Sequence, residues 1–148
     1  NLKAWLNIMM AYENGGHAYH ATMPTDGLKQ LRDTLLEAKQ IGYDILKQAQ
    51  IKLGQEILAT LHKKGVHSVA DPSAQAYGVI VCHALSDEIH KGAAFDKAGV
   101  QIAAGTPIQV GEPSDYKSFR IGLFGLDKLT DIEGTIERFK RAVDQVFV

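Results

Sequence analysis

Apolar side chains recur at two different spacings along this chain. Leu2, Trp5, Leu6, Met9 and Met10 fall at helical intervals, and Tyr12 and Glu13 close the run. Gly15 and Gly16 end it, because glycine reaches the left-handed conformation that terminates helices. The stretch from Gly16 to Thr25 has no period and predicts an extended loop. A longer pattern follows, with Leu28, Leu31, Leu35, Ala38, Ile45, Ala49, Leu53, Ile57 and Leu61 stepping by threes and fours. Thr25 or Asp26 is placed to cap it, and it skips a position at Gly42, so the spacing predicts a helix kinked or split there. Gly65 ends it after His62, Lys63 and Lys64, whose charges suit the negative end of a helix dipole.

Past Gly65 the period shortens. Residues 66–70 read as a short strand and 71–73 as a turn. Residues 77–83, rich in β-branched side chains, read as a stronger strand. Ser86 suits the cap of a helix to about Lys97, and residues 100–103 suggest a third strand. Gly105, Pro107, Gly111 and Pro113 punctuate a loop over 104–117, and residues 118–124 form the fourth strand. Thr130 is the expected cap of a last helix, with Ile132, Ile136, Phe139, Val143 and Val146 on its buried face. Some strands are joined directly and others through one helix. That order predicts an α+β domain with a small mixed or antiparallel sheet covered by helices.

Composition adds exclusions. The chain has 148 residues, 45% of them apolar and 22% charged, which suits one ordinary globular core. A formal net charge of −1 with scattered basic residues gives no field for nucleic acid or acidic lipid, so neither is an expected partner. No apolar run approaches the roughly 20 residues that span a bilayer, and the amphipathic start does not read as a signal peptide. A single cysteine, Cys82, cannot form an intrachain disulfide and suits a reducing, cytoplasmic setting.

Candidate chemistry is sparse. His17 and His20 have metal-like spacing but lack the further ligands a zinc site needs, so they read as hydrogen-bonding loop residues and no metal is expected. Cys82 lies within an apolar strand and reads as a buried small hydrophobe. No nucleophile elbow, P-loop or dinucleotide fingerprint occurs, and the 104–117 loop opens no helix that could cradle a phosphate. Arg120 stands between Phe119 and Ile121, so it projects to one face of a strand, where its fork can grip a carboxylate. Read alone, it fits a solvated arginine or one paired with an internal acid at least as well. Tyr19 and Thr22 offer two hydroxyls three residues apart in a loop, as a phosphate site requires and as ordinary turn chemistry also does.

Taken together, two segments resemble a known family. The run AYHATMPTDGLKQLRDTL (18–35) is similar to the junction between large and small domains in class V pyridoxal-phosphate-dependent aminotransferases of the alanine–glyoxylate and serine–pyruvate type. The run FRIGLFG (119–125), followed by an acidic amphipathic helix, resembles their last strand and helix, and the elements between match in order and separation. The resemblance implies the small carboxy-terminal domain of a fold-type I transferase over 25–148, with residues 1–24 as a linker helix and a cofactor-reaching loop. It implies that Tyr19 and Thr22 bind the phosphate of pyridoxal phosphate held by the neighbouring subunit of a homodimer. It also implies that Arg120 holds the substrate α-carboxylate. Ala21 departs from the pattern, since many members carry histidine or threonine there. His20 matches a motif histidine to which no chemistry is assigned.

The implied activity is transfer of an amino group from an amino acid to a 2-oxo acid such as glyoxylate or pyruvate. None of the lysines here stands in a segment matching the family's Schiff-base lysine, so the chain alone is expected to contain no catalytic residue and to be inactive. A 2-aminoethylphosphonate–pyruvate type of aminotransferase remains an alternative. So does a non-catalytic α+β module for binding or oligomerisation. A cysteine desulfurase is disfavoured, because its reactive cysteine would lie in a mobile loop.

Overall fold

The helix expected to break at Gly42 does so. The structure is a computed structural model and describes residues 1–147, in which α2 (Thr25–Ile41) ends one residue before Gly42 and α3 (Tyr43–His62) begins one after it. Gly42 holds φ at +104°, a conformation that any β-carbon strains. Before these helices lies α1 (Leu2–Glu13). After them come a short 3-10 turn (Pro72–Ala74), β1 (Val79–His83), α4 (Asp87–His90), α5 (Ala93–Lys97), β2 (Ala103–Ala104), β3 (Ser118–Gly122), α6 (Leu126–Thr130) and α7 (Ile132–Val146). The class is α+β, and the sheet is antiparallel throughout, ordered β1-β3-β2.

The chain divides into two units, Asn1–Gln40 and the remainder from Ile41. In the first unit neither α1 nor α2 buries a side chain. Leu2, Leu6, Met9 and Met10 are exposed along α1, and Trp5 meets His20 edge-on with ring centroids 5.7 Å apart.

The second unit contains the core. Strand alternation sends Phe119 and Ile121 of β3, with Ile80 and Cys82 of β1, to one face of the sheet. Against that face pack Leu53, Ile57 and Leu61 of α3, Phe95 of α5, and Phe139 and Val143 of α7. Phe95 is the hub: its ring lies 5.4 Å from that of Phe119, 6.1 Å from Phe139 and 5.9 Å from Phe147. Gln50 ties α3 to the chain entering β1, donating through Nε2 to the Tyr77 carbonyl at 2.9 Å.

Several boundaries differ from the expected ones, each for a local reason. Residues 66–70 form no strand, only a bridge from Ser68 to Cys82. Val66 turns into the core, and the Ser68 side chain bonds Gln75 and the Val81 carbonyl. The single helix expected over 86–97 is interrupted at Gly92, whose φ of +82° separates α4 from α5, although Ser86 caps α4 as anticipated. The third strand is displaced and shortened to Ala103–Ala104. Thr25 starts α2 from within, its hydroxyl donating to the Met23 carbonyl instead of capping. Thr130 closes α6, and Asp131 caps α7 by accepting from the Gly134 amide at 3.1 Å.

Candidate functional site

Tyr19 and Thr22 meet in the loop between α1 and α2. The Tyr19 hydroxyl lies 2.9 Å from Thr22 Oγ1, and both residues are exposed, Tyr19 at 79%. One hydroxyl donates to the other, which leaves one O–H free to donate outward from the same spot. The loop chemistry is local, since these residues are three apart and Pro24 then fixes the entry to α2. His17 and His20 gain no ligand partners: among the described residues no group of three or more histidine, cysteine, aspartate or glutamate side chains could hold a metal.

Arg120 lies in the second unit, on the central strand. Its pairing partners are Val81 on β1 and Ala103 on β2, so its neighbours across the sheet are small or apolar. It sits on the face opposite Phe119 and Ile121 and is half-buried. Its Nε donates to the Ala104 carbonyl at 2.9 Å. Among the described residues no carboxylate lies within ion-pair reach of the guanidinium. An arginine with its Nε engaged and its charge uncompensated retains two Nη groups for a planar anion.

Neighbouring groups that sequence reasoning passed over hold this strand end together. His90 Nδ1 lies 2.7 Å from the Ser118 carbonyl, and the His90 carbonyl accepts from the Gly105 amide at 3.2 Å. Asp87 and Lys117 form an ion pair at 2.7 Å that ties α4 to the entry of β3, and that bond to Lys117 holds the Asp87 carboxyl below its usual range. In the loop between β2 and β3, Glu112 accepts from the backbone amides of Ile108, Gln109 and Val110 at 2.6, 2.7 and 2.8 Å. These bonds, the Gln109 amide foremost, press the Glu112 carboxyl down to about 2. The loop thus builds a small anion nest and fills it with its own carboxylate. A Gly-Glu-Pro run was the only sequence signal for it. Glu112 is therefore unsuited to give or take a proton near neutrality.

Cys82 is fully buried in the core, and burial pushes its thiol up to about 12. It is no nucleophile near neutral pH. A surface depression of about 480 Å³ beside α7 carries Arg138 and Arg141, but Arg138 pairs with Asp131 at 3.2 Å and Arg141 has Glu137 3.8 Å away. Its charges are already answered, so Arg120 is the better candidate for an anion. Among the described residues no helix is long and apolar enough to cross a membrane. No family model matches the chain, and no curated protein matches it.

Proposed function

We propose that this chain supplies the substrate-carboxylate grip, and two phosphate-binding hydroxyls, to a pyridoxal-phosphate-dependent aminotransferase of the alanine–glyoxylate or serine–pyruvate type. The observation that carries the reading is Arg120: an uncompensated guanidinium on the open face of a sheet, in the central strand, with its Nε already engaged. Supporting it, the Tyr19 and Thr22 hydroxyls stand together and exposed, a donor set that suits a phosphate oxygen. In this reading those hydroxyls hold the phosphate of a cofactor bound by the other subunit of a homodimer. The cofactor, when bound, supplies an electron sink for the substrate α-carbon. Arg120 binds and orients the carboxylate of both amino acid and 2-oxo acid, so that each substrate lies in the same register. The chain alone is proposed to be inactive, because none of its lysines stands in a matching segment. A cytoplasmic setting goes with the reading and with the single reduced thiol.

The test is transamination by the full-length protein carrying Arg120→Lys. Lysine keeps the charge and loses the fork. Removing a charge-assisted hydrogen bond costs about 1.5–3 kcal/mol, so kcat/KM for alanine and for glyoxylate should each fall about 10- to 100-fold. A carboxylate-free amine should be nearly unaffected. Equal losses for both kinds of donor, or none for amino acids, would refute the reading. A preference for an aminophosphonate donor over alanine would move the enzyme to the phosphonate branch.

A further inference from the structure

We infer that His90 is a positioning residue for Arg120, acting through the Ala104 carbonyl; the inference rests on the carboxylate-gripping reading of Arg120. β2 is two residues long and lies at the edge of the sheet, so its pairing with β3 is weak by itself. Yet its Ala104 carbonyl is what holds Arg120 Nε at 2.9 Å. Something must fix Ala104 where the strand ends, and His90 does this from α4. Its carbonyl accepts from the Gly105 amide, immediately after Ala104, while its ring Nδ1 bonds the Ser118 carbonyl at 2.7 Å, two residues before Arg120. One residue thus staples the exit of β2 to the entrance of β3. A carbonyl oxygen only accepts, so Nδ1 carries the proton and donates.

Gly105 makes the staple geometrically exact in the other direction. A β-carbon there would collide with the Ser118 carbonyl oxygen and would meet the Ser118 Oγ at 2.5 Å. The backbones approach too closely for any side chain, and an alanine would push β2 away from β3. α4 itself is anchored by the Ser86 cap and by the Asp87–Lys117 ion pair, so His90 is presented on a fixed turn. The consequence for binding is directional. With Nε held by Ala104, a ligand carboxylate meets the two Nη groups end-on, and its position depends on the staple.

The experiment uses the 148-residue chain, ¹⁵N-labelled. Arg120 Nε–H exchange with solvent is followed by NMR in the parent and in His90→Asn, His90→Gln and Gly105→Ala, and Arg120 Nη shifts are followed during titration with pyruvate. Asparagine places its amide nitrogen where Nδ1 stood; glutamine does not. Core methyl resonances of Leu53 and Ile57 report folding. Slow Nε–H exchange is expected in the parent and in His90→Asn. In His90→Gln and Gly105→Ala it should accelerate about tenfold, the measure of one lost hydrogen bond to a charged group, with pyruvate affinity falling in parallel. If His90→Gln, still folded, matches the parent in Nε–H exchange, the positioning role is overturned. If His90→Gln does not fold, Gly105→Ala decides by the same readout. If the Nε–H pattern is as expected but pyruvate leaves the parent's Nη shifts unmoved, the positioning role stands and the carboxylate reading falls.

Discussion

Gly54 sits in the middle of α3, where alanine is ordinarily the better residue by about 1 kcal/mol. The structure reverses that expectation. A β-carbon on Gly54 would lie 2.5 Å from Tyr77 Cβ, 2.7 Å from its Cδ1 and 2.9 Å from its Cα, against ordinary contact at 3.4–4 Å. Two of those atoms cannot rotate away, because Cα and Cβ move only with the backbone. Relief requires α3 to withdraw from the chain entering β1, and that strains the Gln50 to Tyr77 bond at 2.9 Å. Overpacking of this kind costs about 1–3 kcal/mol, and weakening one hydrogen bond adds about 1 kcal/mol. Set against the propensity gain, Gly54→Ala should destabilise the second unit by about 1–3 kcal/mol. Urea denaturation followed by circular dichroism measures it, with the Leu53 and Ile57 methyl resonances identifying the unit that melts. With a slope of about 1–3 kcal/mol per molar urea, the midpoint should fall by roughly a third of a molar or more. Gly27→Ala in α2 is the control, since its β-carbon meets only Pro24 Cβ at 4.0 Å, and it should leave α2 as stable or firmer. An unchanged or higher midpoint for Gly54→Ala would show that Tyr77 yields freely and that the close approach is not a constraint.

Other outcomes follow from single groups. Glu112, held down to about 2, contributes order to its loop that is fully present above the ordinary carboxylate pKa and fades as pH falls toward 2. The protection of the amides of residues 108–110, measured against their intrinsic exchange rates, should fall over that range in the parent, and Glu112→Gln should abolish that pH dependence. Cys82, raised to about 12, favours the folded state below its unfolded pKa near 9.0; that contribution is lost as pH rises from there toward 12. At pH 8 it should resist a disulfide reagent in the native protein and react once urea unfolds it; rapid native labelling would contradict its burial. Asp131→Ala removes the cap of α7 and should cost about 1 kcal/mol, while Asp131→Asn, which keeps the accepting oxygen, should cost less by the same denaturation assay.

The helical spacing of Leu53, Ile57 and Leu61, and the alternation of Phe119 with Ile121, placed the core correctly because burial follows period directly. Arg120 was legible for the same reason, as the polar interruption of an apolar strand. What failed depended on backbone detail. Gly92 looks like any helical glycine until its left-handed φ separates α4 from α5. Residues 66–70 are apolar enough for a strand, but the Ser68 hydroxyl bonds the Gln75 side chain, the Val81 carbonyl and the Ala70 amide, and the ladder stops at one bridge. His90 and Gly105 left no mark in the pattern, because their role comes from contacts with Ser118 across 28 and 13 positions of sequence. Glu112 was missed because a nest requires knowing where three amides point.

The alternation along β3 also explains why Arg120 is presented and not paired. Phe119 and Ile121 fill the closed face, at 0% and 4% exposure, so the residue between them is forced to the other side. A one-residue slip would drive the guanidinium into a core that holds no acid to meet it, a cost of several kcal/mol that fixes the register. The central position of β3 then removes the freedom an edge strand would leave, because β3 pairs with β1 on one side and β2 on the other, with Val81 and Ala103 opposite Arg120. Among the described residues the one polar group that engages it is the Ala104 carbonyl, which takes the inner nitrogen and brings no opposite charge. A charge that folding must keep out of the core, on the central strand, with its outer nitrogens unspent, contributes little to stability beyond that one bond. Arg120→Leu should therefore cost no more stability in urea unfolding than its one hydrogen bond to the Ala104 carbonyl is worth, up to about 3 kcal/mol, while on the proposed reading carboxylate binding is lost. A large loss of stability would mean that the arginine serves the fold, and the binding assignment would then lack its foundation.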